Sequence, residues 1–585
     1  MPVNDGQRSR VPACGSPYVH SMAKTVALAI AHAVLFAAAF PGIGLWPVAF
    51  ISVVPLVWLA INARSTRRAV LTVLVVQWAM WLWINQWLIA VTAMGYPLLG
   101  VYLSLYAALF VWIIRRISRH RWLRAWPMTV VVPVVWVGIE CLRGEFLFDG
   151  YPWFILAHPT IEWLILAQSA DLFGTYFLSF LVAMVAGSVV DLARVHVGQW
   201  PARRLVVVGI VTLAVHGANL GYGFWRLGQA DVAMPAPSLL VIQTNLAQDN
   251  KIAWEPQRQV EDVRTFIDLT RQAHNEVIAS GKNVDLVIWP ETMLPGFGLE
   301  PEAIRTLVEG DFFPGDLFSN ALVELSGQLK TPMLVGSPAY VGLETVDDMP
   351  RWQAKYNSAY LIDGDPPYQR YDKVFLTPFG ETMPYISNWP WLEDKMLAVG
   401  AEGMSFNLDG SGAINRLTLR WTPRSDGTQA SSLHKPQASL ILATPICFED
   451  TVARVCRKMI YSGRRKTADI FVNLSNDGWF TSFDAGRKQH AQIARFRCIE
   501  NRVPMVRAVN TGLSLAINST GALIDKVGEG RYGEPRKADW LLAELQLDSR
   551  STLYGAVGEV WPWACLAATV ALTGCTMISR RESAT

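Results

Sequence analysis

Long apolar stretches dominate the first 221 residues of the chain, and one more lies near its C-terminal end. A helix needs about 20 apolar residues to cross the hydrocarbon core of a bilayer. The stretches of about this length lie at 24–40, 45–63, 69–90, 96–114, 127–142, 172–190, 204–221 and 557–578. The pattern therefore predicts a multi-span α-helical membrane domain with eight transmembrane helices.

The charges in the loops between these stretches alternate. Arginines precede the first span, separate the second from the third, the fourth from the fifth and the sixth from the seventh, and follow the eighth: Arg8, Arg10, Arg64, Arg67, Arg68, Arg115, Arg116, Arg119, Arg121, Arg124, Arg194, Arg203, Arg204, Arg580 and Arg581. The loops at 41–45 and 91–96 carry no lysine or arginine, and the loop after the fifth span carries only Arg143. Because basic loops remain cytoplasmic, the alternation predicts cytoplasmic N- and C-termini.

The segment between the seventh and eighth spans has the pattern of an α/β domain. Short apolar runs at 239–242, 286–288, 333–335, 440–442, 470–472 and 504–506 predict strands, and amphipathic stretches at 257–280 and 318–329 predict helices. Strands that alternate with helices are typical of sheets covered by helices. The stretch 408–436 is rich in Ser, Gly, Thr and Pro and is predicted to be a loop.

Four regions follow from these patterns. They are a cytoplasmic N-terminal tail (1–23), a membrane domain with seven transmembrane helices (24–227), an extracytoplasmic α/β domain (228–555), and the eighth transmembrane helix with a cytoplasmic tail (556–585).

Composition agrees with a membrane protein and argues against several functions. Hydrophobic residues make up 51% and charged residues only 17% of the chain, whereas a soluble domain carries about 25% charged residues. A net charge of +3 gives no support for nucleic-acid binding. The seven cysteines have no CxxC spacing and the histidines no metal-ligand spacing, so we expect neither a disulfide framework nor a metal or other cofactor.

Three residues with catalytic chemistry each follow a strand-like run. Glu291 ends Leu-Val-Ile-Trp-Pro-Glu, Lys373 follows Tyr-Asp before a loop rich in Pro and Gly, and Cys447 ends Leu-Ile-Leu-Ala-Thr-Pro-Ile-Cys. Each has a simpler interpretation: a helix-capping carboxylate, a surface lysine paired with Asp372, and a buried packing cysteine. A thiol where a strand turns into a helix is expected to favour the thiolate.

Together the three residues indicate covalent catalysis. A nucleophilic cysteine needs a base and a stabilised oxyanion, and a glutamate and a lysine supply these functions. The residues lie far apart in the sequence, so only the fold can bring them together. This is the Glu–Lys–Cys pattern of the nitrilase superfamily.

Further motifs narrow the resemblance. They are Asn-Asp-Gly-Trp-Phe at 476–480, Gln-His-Ala-Gln-Ile-Ala-Arg at 489–495, Asn-Thr-Gly at 510–512, Gln-Thr-Asn at 243–245 with Trp254, Gly-Tyr-Pro-Trp at 150–153, and Gln-Ser-Ala-Asp at 168–171 with Gly174 and Tyr176. In these motifs the chain resembles the apolipoprotein N-acyltransferase family over about residues 25–578. The resemblance implies that the α/β domain is a nitrilase-like αββα sandwich.

The resemblance also implies residue roles. Glu291 is expected to be the general base, Lys373 to stabilise the oxyanion, and Cys447 to form a thioester. Supporting or substrate-binding positions are expected at Glu381, Glu449, Phe448, Trp254 and Asn476. Phe448 stands where the family often has tyrosine, so any role of that hydroxyl is missing here.

The implied reaction is the last step of bacterial lipoprotein maturation. A fatty acyl chain passes from a phospholipid, through the cysteine thioester, to the α-amino group of an N-terminal diacylglyceryl-cysteine, with ping-pong kinetics. The expected location is the bacterial inner membrane, with a periplasmic catalytic domain in a monomer. The alternative is a membrane-anchored nitrilase-type amidase that uses water as the acceptor.

Lipid substrates predict apolar loops that reach toward the bilayer. The candidates are Trp389 and Trp391, which lie in one loop, and the aromatic residues of 312–318. The alternative for these side chains is ordinary contact with the core.

Overall fold

The computed structural model describes residues 21–229, 233–246, 254–386, 389, 391, 395, 408–421, 438–480 and 483–581. These residues form a helical part and an α/β domain. The C-terminal helix, Val560–Arg581, returns to the helical part.

The helical part is built from long apolar helices joined by short turns. Its helices are α1 (Met22–Ala39), α2 (Ala49–Ser52), α3 (Val54–Asn62), α4 (Thr66–Ile84), α5 (Gly95–Arg119), α6 (Met128–Cys141), α7 (Leu164–Ala167), α8 (Ala170–Phe173), α9 (Thr175–His196) and α10 (Ala202–Leu227). Ser21 caps α1 and Ser65 caps α4, each accepting a hydrogen bond from a main-chain N–H of the first turn. The C-terminal helix contacts α6 closely, where a Cβ on Gly138 would lie 2.9 Å from the Cys565 carbonyl oxygen.

Six helices within the described ranges are long and apolar enough to cross a membrane: α1, α4, α5, α9, α10 and the C-terminal helix. The two other predicted spans correspond to shorter helices. The stretch 45–63 is divided between α2 and α3, and 127–142 corresponds to the 14-residue α6. The count of eight spans therefore remains a prediction.

The α/β domain contains two six-stranded sheets and a small number of helices. Its strands are β1 (Ala233–Gln243), β2 (Leu286–Ile288), β3 (Met333–Val341), β4 (Glu344–Val346), β5 (Met349–Arg351), β6 (Ala354–Ile362), β7 (Gln369–Asp372), β8 (Leu417–Trp421), β9 (Ala438–Ala443), β10 (Tyr461–Ser462), β11 (Arg465–Lys466), β12 (Ile470–Ser475), β13 (Met505–Val509), β14 (Leu515–Ile517), β15 (Leu523–Lys526) and β16 (Asp539–Asp548). Its helices are α11 (Pro256–Ala279), α12 (Pro301–Glu309), α13 (Leu317–Leu329), α14 (Ala453–Ile460), α15 (Asp484–Asn501) and α16 (Leu553–Val557), so that the C-terminal helix is α17.

The two sheets pack face to face. The strand order is β16-β1-β2-β3-β6-β7 in the first sheet and β15-β14-β13-β12-β9-β8 in the second. Parallel pairing joins β1, β2 and β3 in the first sheet and β9, β12 and β13 in the second. The functional side chains described below follow β2, β7 and β9.

Side-chain alternation explains why helices cover both outer faces. In β1, Leu239 and Val241 belong to the core between the sheets, whereas Leu240 and Ile242 pack with Phe266 of α11. On the second sheet, α15 covers the outer face with small buried residues such as Ala494. The described part of the domain is thus a four-layer αββα sandwich, as predicted.

One predicted loop is wrong in part. Within 408–436, residues 417–421 form β8, which pairs antiparallel with β9. Leu417 and Leu419 are buried in the core between the sheets, and this local alternation is hidden by the polar composition of the whole stretch. Residues 422–436 lie outside the described ranges.

Helix α15 joins the α/β domain to the helical part through buried polar contacts. At its C-terminal end, Arg502 donates to Asp171 at 2.7 Å and to the Gln168 side chain at 2.8 Å. Glu500 accepts hydrogen bonds from the main-chain N–H and the hydroxyl of Thr175. Gly174 lies beside this contact, since a Cβ there would be 2.9 Å from the Tyr554 ring. These contacts hold the two parts in one orientation.

Candidate active site

Three strand ends bring Glu291, Lys373 and Cys447 to one edge of the sandwich. Glu291 follows β2, Lys373 follows β7 and Cys447 follows β9. Cys447 has φ +51° and begins a 3₁₀ turn, Cys447–Thr451. A non-glycine residue with positive φ is under backbone strain, which is often found at functional sites. The tight turn presents the thiol at the end of the strand.

Lys373 is held by carboxylates in a buried position. Its Nζ lies 2.7 Å from Glu381 Oε2 and 3.9 Å from Glu291 Oε1, and its side chain is fully buried. Asn357 donates a hydrogen bond to Glu291 at 2.8 Å and so fixes that carboxylate. The simpler interpretation of a surface lysine paired with Asp372 is wrong, because Asp372 pairs with Arg370 instead.

The electric fields at the site keep the lysine charged. Burial lowers the pKa of Lys373, but the attraction of Glu381, Cys447 and Glu291 outweighs burial and holds this pKa above its ordinary value. Burial likewise raises the pKa of Glu381, yet Lys373 outweighs it and lowers that pKa. The pair is therefore ionic at neutral pH.

The base and the thiol are both protonated more readily than in water. Burial raises the pKa of Glu291 against the opposing effect of Lys373, and burial together with Glu291 raises the pKa of the Cys447 thiol. Glu291 is the ionisable group with the largest effect on the thiol, and Lys373 acts on it in the opposite direction. The expectation that the turn favours a resting thiolate is thus wrong, because desolvation and the Glu291 charge outweigh Lys373. A carboxylate whose pKa is raised is a suitable acceptor for the thiol proton during attack.

Glu449 ties the lysine segment to the cysteine turn. Its carboxylate accepts main-chain hydrogen bonds from Ile446, Val374 and Phe375 at 2.8–2.9 Å. The hydroxyl of Tyr371 donates to the same carboxylate at 2.8 Å. Burial raises the pKa of Glu449 to about 7, against the effects of Lys373 and these donors.

The other predicted residues, Phe448, Asn476 and Trp254, make contacts in three different places around this cluster. Phe448 stacks on Phe375 with ring centroids 6.2 Å apart. Asn476 accepts a hydrogen bond from Asn510 at 3.2 Å, at the end of β12. Trp254 lies at the start of α11, where its indole donates to a carboxylate of that helix rather than to the three strand-end residues.

The apolar loop residues divide between exposure and core. Trp389 and Trp391 are 55% and 63% exposed, so neither makes the core contact that was the alternative. Phe313 is also exposed, but Phe318 is buried against the outer face of the first sheet. The prediction that Phe318 reaches toward lipid is wrong, because it lies on the apolar face of α13.

Sequence reasoning did not identify several residues that shape the site. Asn357 donates to Glu291, Tyr371 donates to Glu449, and Asp450 lies in the turn that Cys447 begins. Tyr371 lies two residues before Lys373. Because side chains alternate along a strand, this spacing places the two residues on the same face, and it is the sequence signal that could have identified Tyr371. Within the described ranges no group of three or more His, Cys, Asp or Glu side chains is arranged to hold a metal ion.

Comparisons with known proteins match each part of the chain to a family, and they match nearly the whole chain to complete relatives. Residues 32–188 match the apolipoprotein N-acyltransferase N-terminal domain family, and residues 243–552 match the carbon-nitrogen hydrolase family. The apolipoprotein N-acyltransferase of Geobacter metallireducens is 30% identical over 92% of this chain and 93% of its own length. That of Rhodopseudomonas palustris is 28% identical over 94% of both chains.

Solved structures of nitrilase-superfamily proteins are similar to part of the chain. Saccharomyces cerevisiae Nit3 matches 57% of this chain and 97% of its own at 13% identity, with a TM-score of 0.33. A carbon-nitrogen hydrolase from Helicobacter pylori matches 53% of this chain and 89% of its own at 14% identity, with a TM-score of 0.32.

Proposed function

The chain belongs to the apolipoprotein N-acyltransferase family, whose members are nitrilase-superfamily enzymes, and we propose that it N-acylates lipoproteins by a cysteine thioester route. The acyl donor is a membrane phospholipid, and the acceptor is the α-amino group of an N-terminal diacylglyceryl-cysteine. The observation that carries the proposal is the convergence of three strand ends, which place Cys447 beside Glu291 and the buried Lys373, with Lys373 Nζ 3.9 Å from Glu291 Oε1.

The first half-reaction forms the thioester. As the Cys447 sulfur attacks the ester carbonyl, Glu291 takes the thiol proton. Lys373 and the main-chain N–H after Cys447 stabilise the oxyanion. Glu291 returns the proton to the departing oxygen, and the lysophospholipid leaves with a neutral hydroxyl group. The enzyme then holds the acyl group as a thioester, and Glu291 is again a carboxylate.

The second half-reaction forms the amide. The amine of the acceptor attacks the thioester carbonyl, Glu291 removes the amine proton, and the thiolate leaves and regains that proton. Glu381 keeps Lys373 charged in both halves, because the two side chains are 2.7 Å apart in a buried environment. Glu449 holds the segments that carry Lys373 and Cys447 in register.

The position of the site beside the helical part supports lipid substrates. Phe448, next to the thiol, packs against both the core of the α/β domain and the core of the helical part. The Phe148 ring of the helical part lies 5.6 Å from Phe379, which belongs to the loop that follows Lys373. A phospholipid in the bilayer thus needs to move only a short way to reach the cysteine.

We further propose the topology on which this chemistry depends. Eight transmembrane helices place both termini in the cytoplasm and the catalytic domain, 228–555, in the periplasm of a monomeric inner-membrane protein. The loop-charge alternation supports this arrangement. Exposed Trp389 and Trp391 then form an apolar loop that admits lipid to the site.

Intact mass spectrometry of purified protein incubated with phosphatidylethanolamine tests the reaction. The wild-type protein should gain one fatty-acyl mass, Cys447→Ala should gain none, and a diacylglyceryl-cysteine peptide should remove the adduct. An adduct that water removes equally fast with and without the peptide would favour the amidase alternative. A protein that acylates the peptide without ever carrying an adduct would contradict the assignment of Cys447.

A further inference from the structure

A buried histidine lies directly behind the turn that carries Cys447. The Nε2 atom of His490, in α15, is 2.6 Å from Asp450 Oδ1, and its Nδ1 atom is 3.3 Å from Asp477 Oδ1. All three side chains are almost completely buried. Asp450 belongs to the same 3₁₀ turn as Cys447, and Asp477 lies in the loop that follows β12.

The geometry favours a charged ring. Carboxylates only accept hydrogen bonds, so both ring nitrogens must carry protons to bond both partners. Two guanidinium groups complete the cluster: Arg507 pairs with Asp450, and Arg487 donates to the main-chain oxygen of Asp477 at 3.0 Å. Burial lowers the pKa of His490, but the two carboxylates outweigh burial and Arg507 and raise this pKa to about 8.

The histidine also contacts the helical part. The His490 ring lies 5.5 Å from the ring of Trp153 and 6.3 Å from that of Phe480. Phe480 in turn packs edge-to-face on Trp87 at 4.4 Å. The aromatic rings exclude water from one side of the imidazole, so its charge acts on its carboxylate neighbours with little screening.

The charge balance around His490 affects the thiol. Asp477 is among the groups that raise the pKa of Cys447, so a carboxylate behind the turn disfavours the thiolate. A protonated His490 compensates this carboxylate and holds Asp450, three residues after the nucleophile. A neutral ring removes one of the two hydrogen bonds and one of the three positive charges that face Asp450 and Asp477, and only Arg507 and Arg487 remain.

We propose that His490 is a positioning residue whose positive charge holds the Cys447 turn and makes the thiolate accessible, so that the reactivity of the nucleophile depends on the protonation of this histidine. The inference rests on the proposed function only in taking Cys447 as the nucleophile. The proton moves between His490 and solvent, and no further reactant is needed.

Alkylation of Cys447 by iodoacetamide tests the inference without any lipid. The rate is measured by peptide mass spectrometry on the full-length protein in detergent between pH 6.5 and 9.5. In the wild type, the rate should rise with pH, flatten near pH 8 as His490 loses its proton, and then rise again. His490→Gln should react about tenfold more slowly at pH 7, since the loss of one buried positive charge behind the turn raises the pKa of the thiol, and a rise of about one unit lowers the thiolate fraction about tenfold. Its rate should rise without the flattening and approach the wild-type rate above pH 9.

A second histidine provides the matched control. His158 is also buried and contacts α15, but its Nδ1 faces Gln489 at 2.9 Å rather than a carboxylate. His158→Gln should therefore keep the wild-type pH profile. If His490→Gln retains the flattening near pH 8, or if its ratio to the wild-type rate is the same at pH 7 and pH 9.5, the inference is wrong.

A further variant keeps the test decisive if His490→Gln does not fold. Asp477→Asn preserves the size of the side chain and removes one of the two carboxylates that raise the His490 pKa. The flattening should then move to lower pH, and an unmoved profile would contradict the inference. Failure of the proposed function is a separate result, because it would appear as missing phospholipid adducts while the alkylation profile stays as described.

Discussion

Asp171 joins the helical part to the α/β domain through Arg502, and it also binds Arg226 of α10 within the helical part. Its Oδ2 atom lies 2.7 Å from Arg502 and 2.7 Å from Arg226, and Tyr222 donates to its other oxygen at 2.7 Å. The Asp171 and Arg502 side chains are both fully buried. Asp171→Asn keeps the shape of the side chain but leaves two neighbouring positive charges without their counter-charge.

The structure allows the loss to be estimated. Removing one partner of a buried ion pair costs about 3–5 kcal/mol, because the remaining charge is buried and uncompensated. An exposed pair contributes only about 0–1 kcal/mol. The pair of Lys282 and Glu544 is just as short, at 2.6 Å, yet each side chain is 52% exposed. Glu544→Gln is therefore a control that matches the distance and differs in burial.

Thermal unfolding in detergent, followed with a fluorogenic maleimide, measures the difference. Cys456 and Cys498 are buried in the α/β domain and react only when it opens. At roughly 2 °C per kcal/mol, Asp171→Asn should lower the unfolding midpoint by roughly 6–10 °C and Glu544→Gln by about 1 °C. Equal shifts in the two variants, or a shift below about 2 °C for Asp171→Asn, would refute the argument that this buried pair stabilises the contact between the two parts.

Two further predictions concern the site. A Cβ on Gly336 would lie 2.8 Å from Glu291 Cα. Gly336→Ala should therefore displace the base and slow thioester formation by about tenfold or more. The control is Gly327→Ala on α13, where a Cβ meets open space, and this variant should leave the rate of thioester formation unchanged. A wild-type rate in Gly336→Ala would show that the strand end tolerates the methyl group. Replacing Trp389 and Trp391 with serine should slow the acylation of Cys447 by phospholipid but not its alkylation by iodoacetamide. The reason is that the exposed indoles are proposed to contact lipid and not the thiol. Unchanged thioester formation would contradict the proposal that this loop admits lipid.

The apolar runs of the α/β domain were informative because each is short and bounded by polar residues. Leu286, Val287 and Ile288 lie on a central strand that is buried on both faces, so a continuous run predicts the strand as well as its end. The apolar run before Cys447 likewise predicts a strand and its end. Since a parallel strand ends where the chain leaves the sheet, residues that follow such runs are natural site candidates. The sequence alone could not show that three strands from two sheets end at the same edge.

Long-range polar contacts were not predictable from local pattern. Asp171 and Arg502 are separated by 331 residues, and nothing in the residues next to either one indicates the other. The resemblance of 168–171 to a family motif pointed to this segment but not to its partner. Similarly, the Ser-rich and Pro-rich sequence around β8 hid an alternation only three residues long, from Leu417 to Leu419.

The two adjacent acids after the nucleophile show how a short turn joins the two sheets. Glu449 accepts the Tyr371 hydroxyl from β7 of the first sheet, whereas Asp450 pairs with Arg507 from β13 of the second. Successive side chains of a 3₁₀ turn point about 120° apart, so neighbouring residues can reach in different directions. The 3₁₀ turn, with Cys447 in a strained conformation at its start, is therefore anchored to both sheets at once.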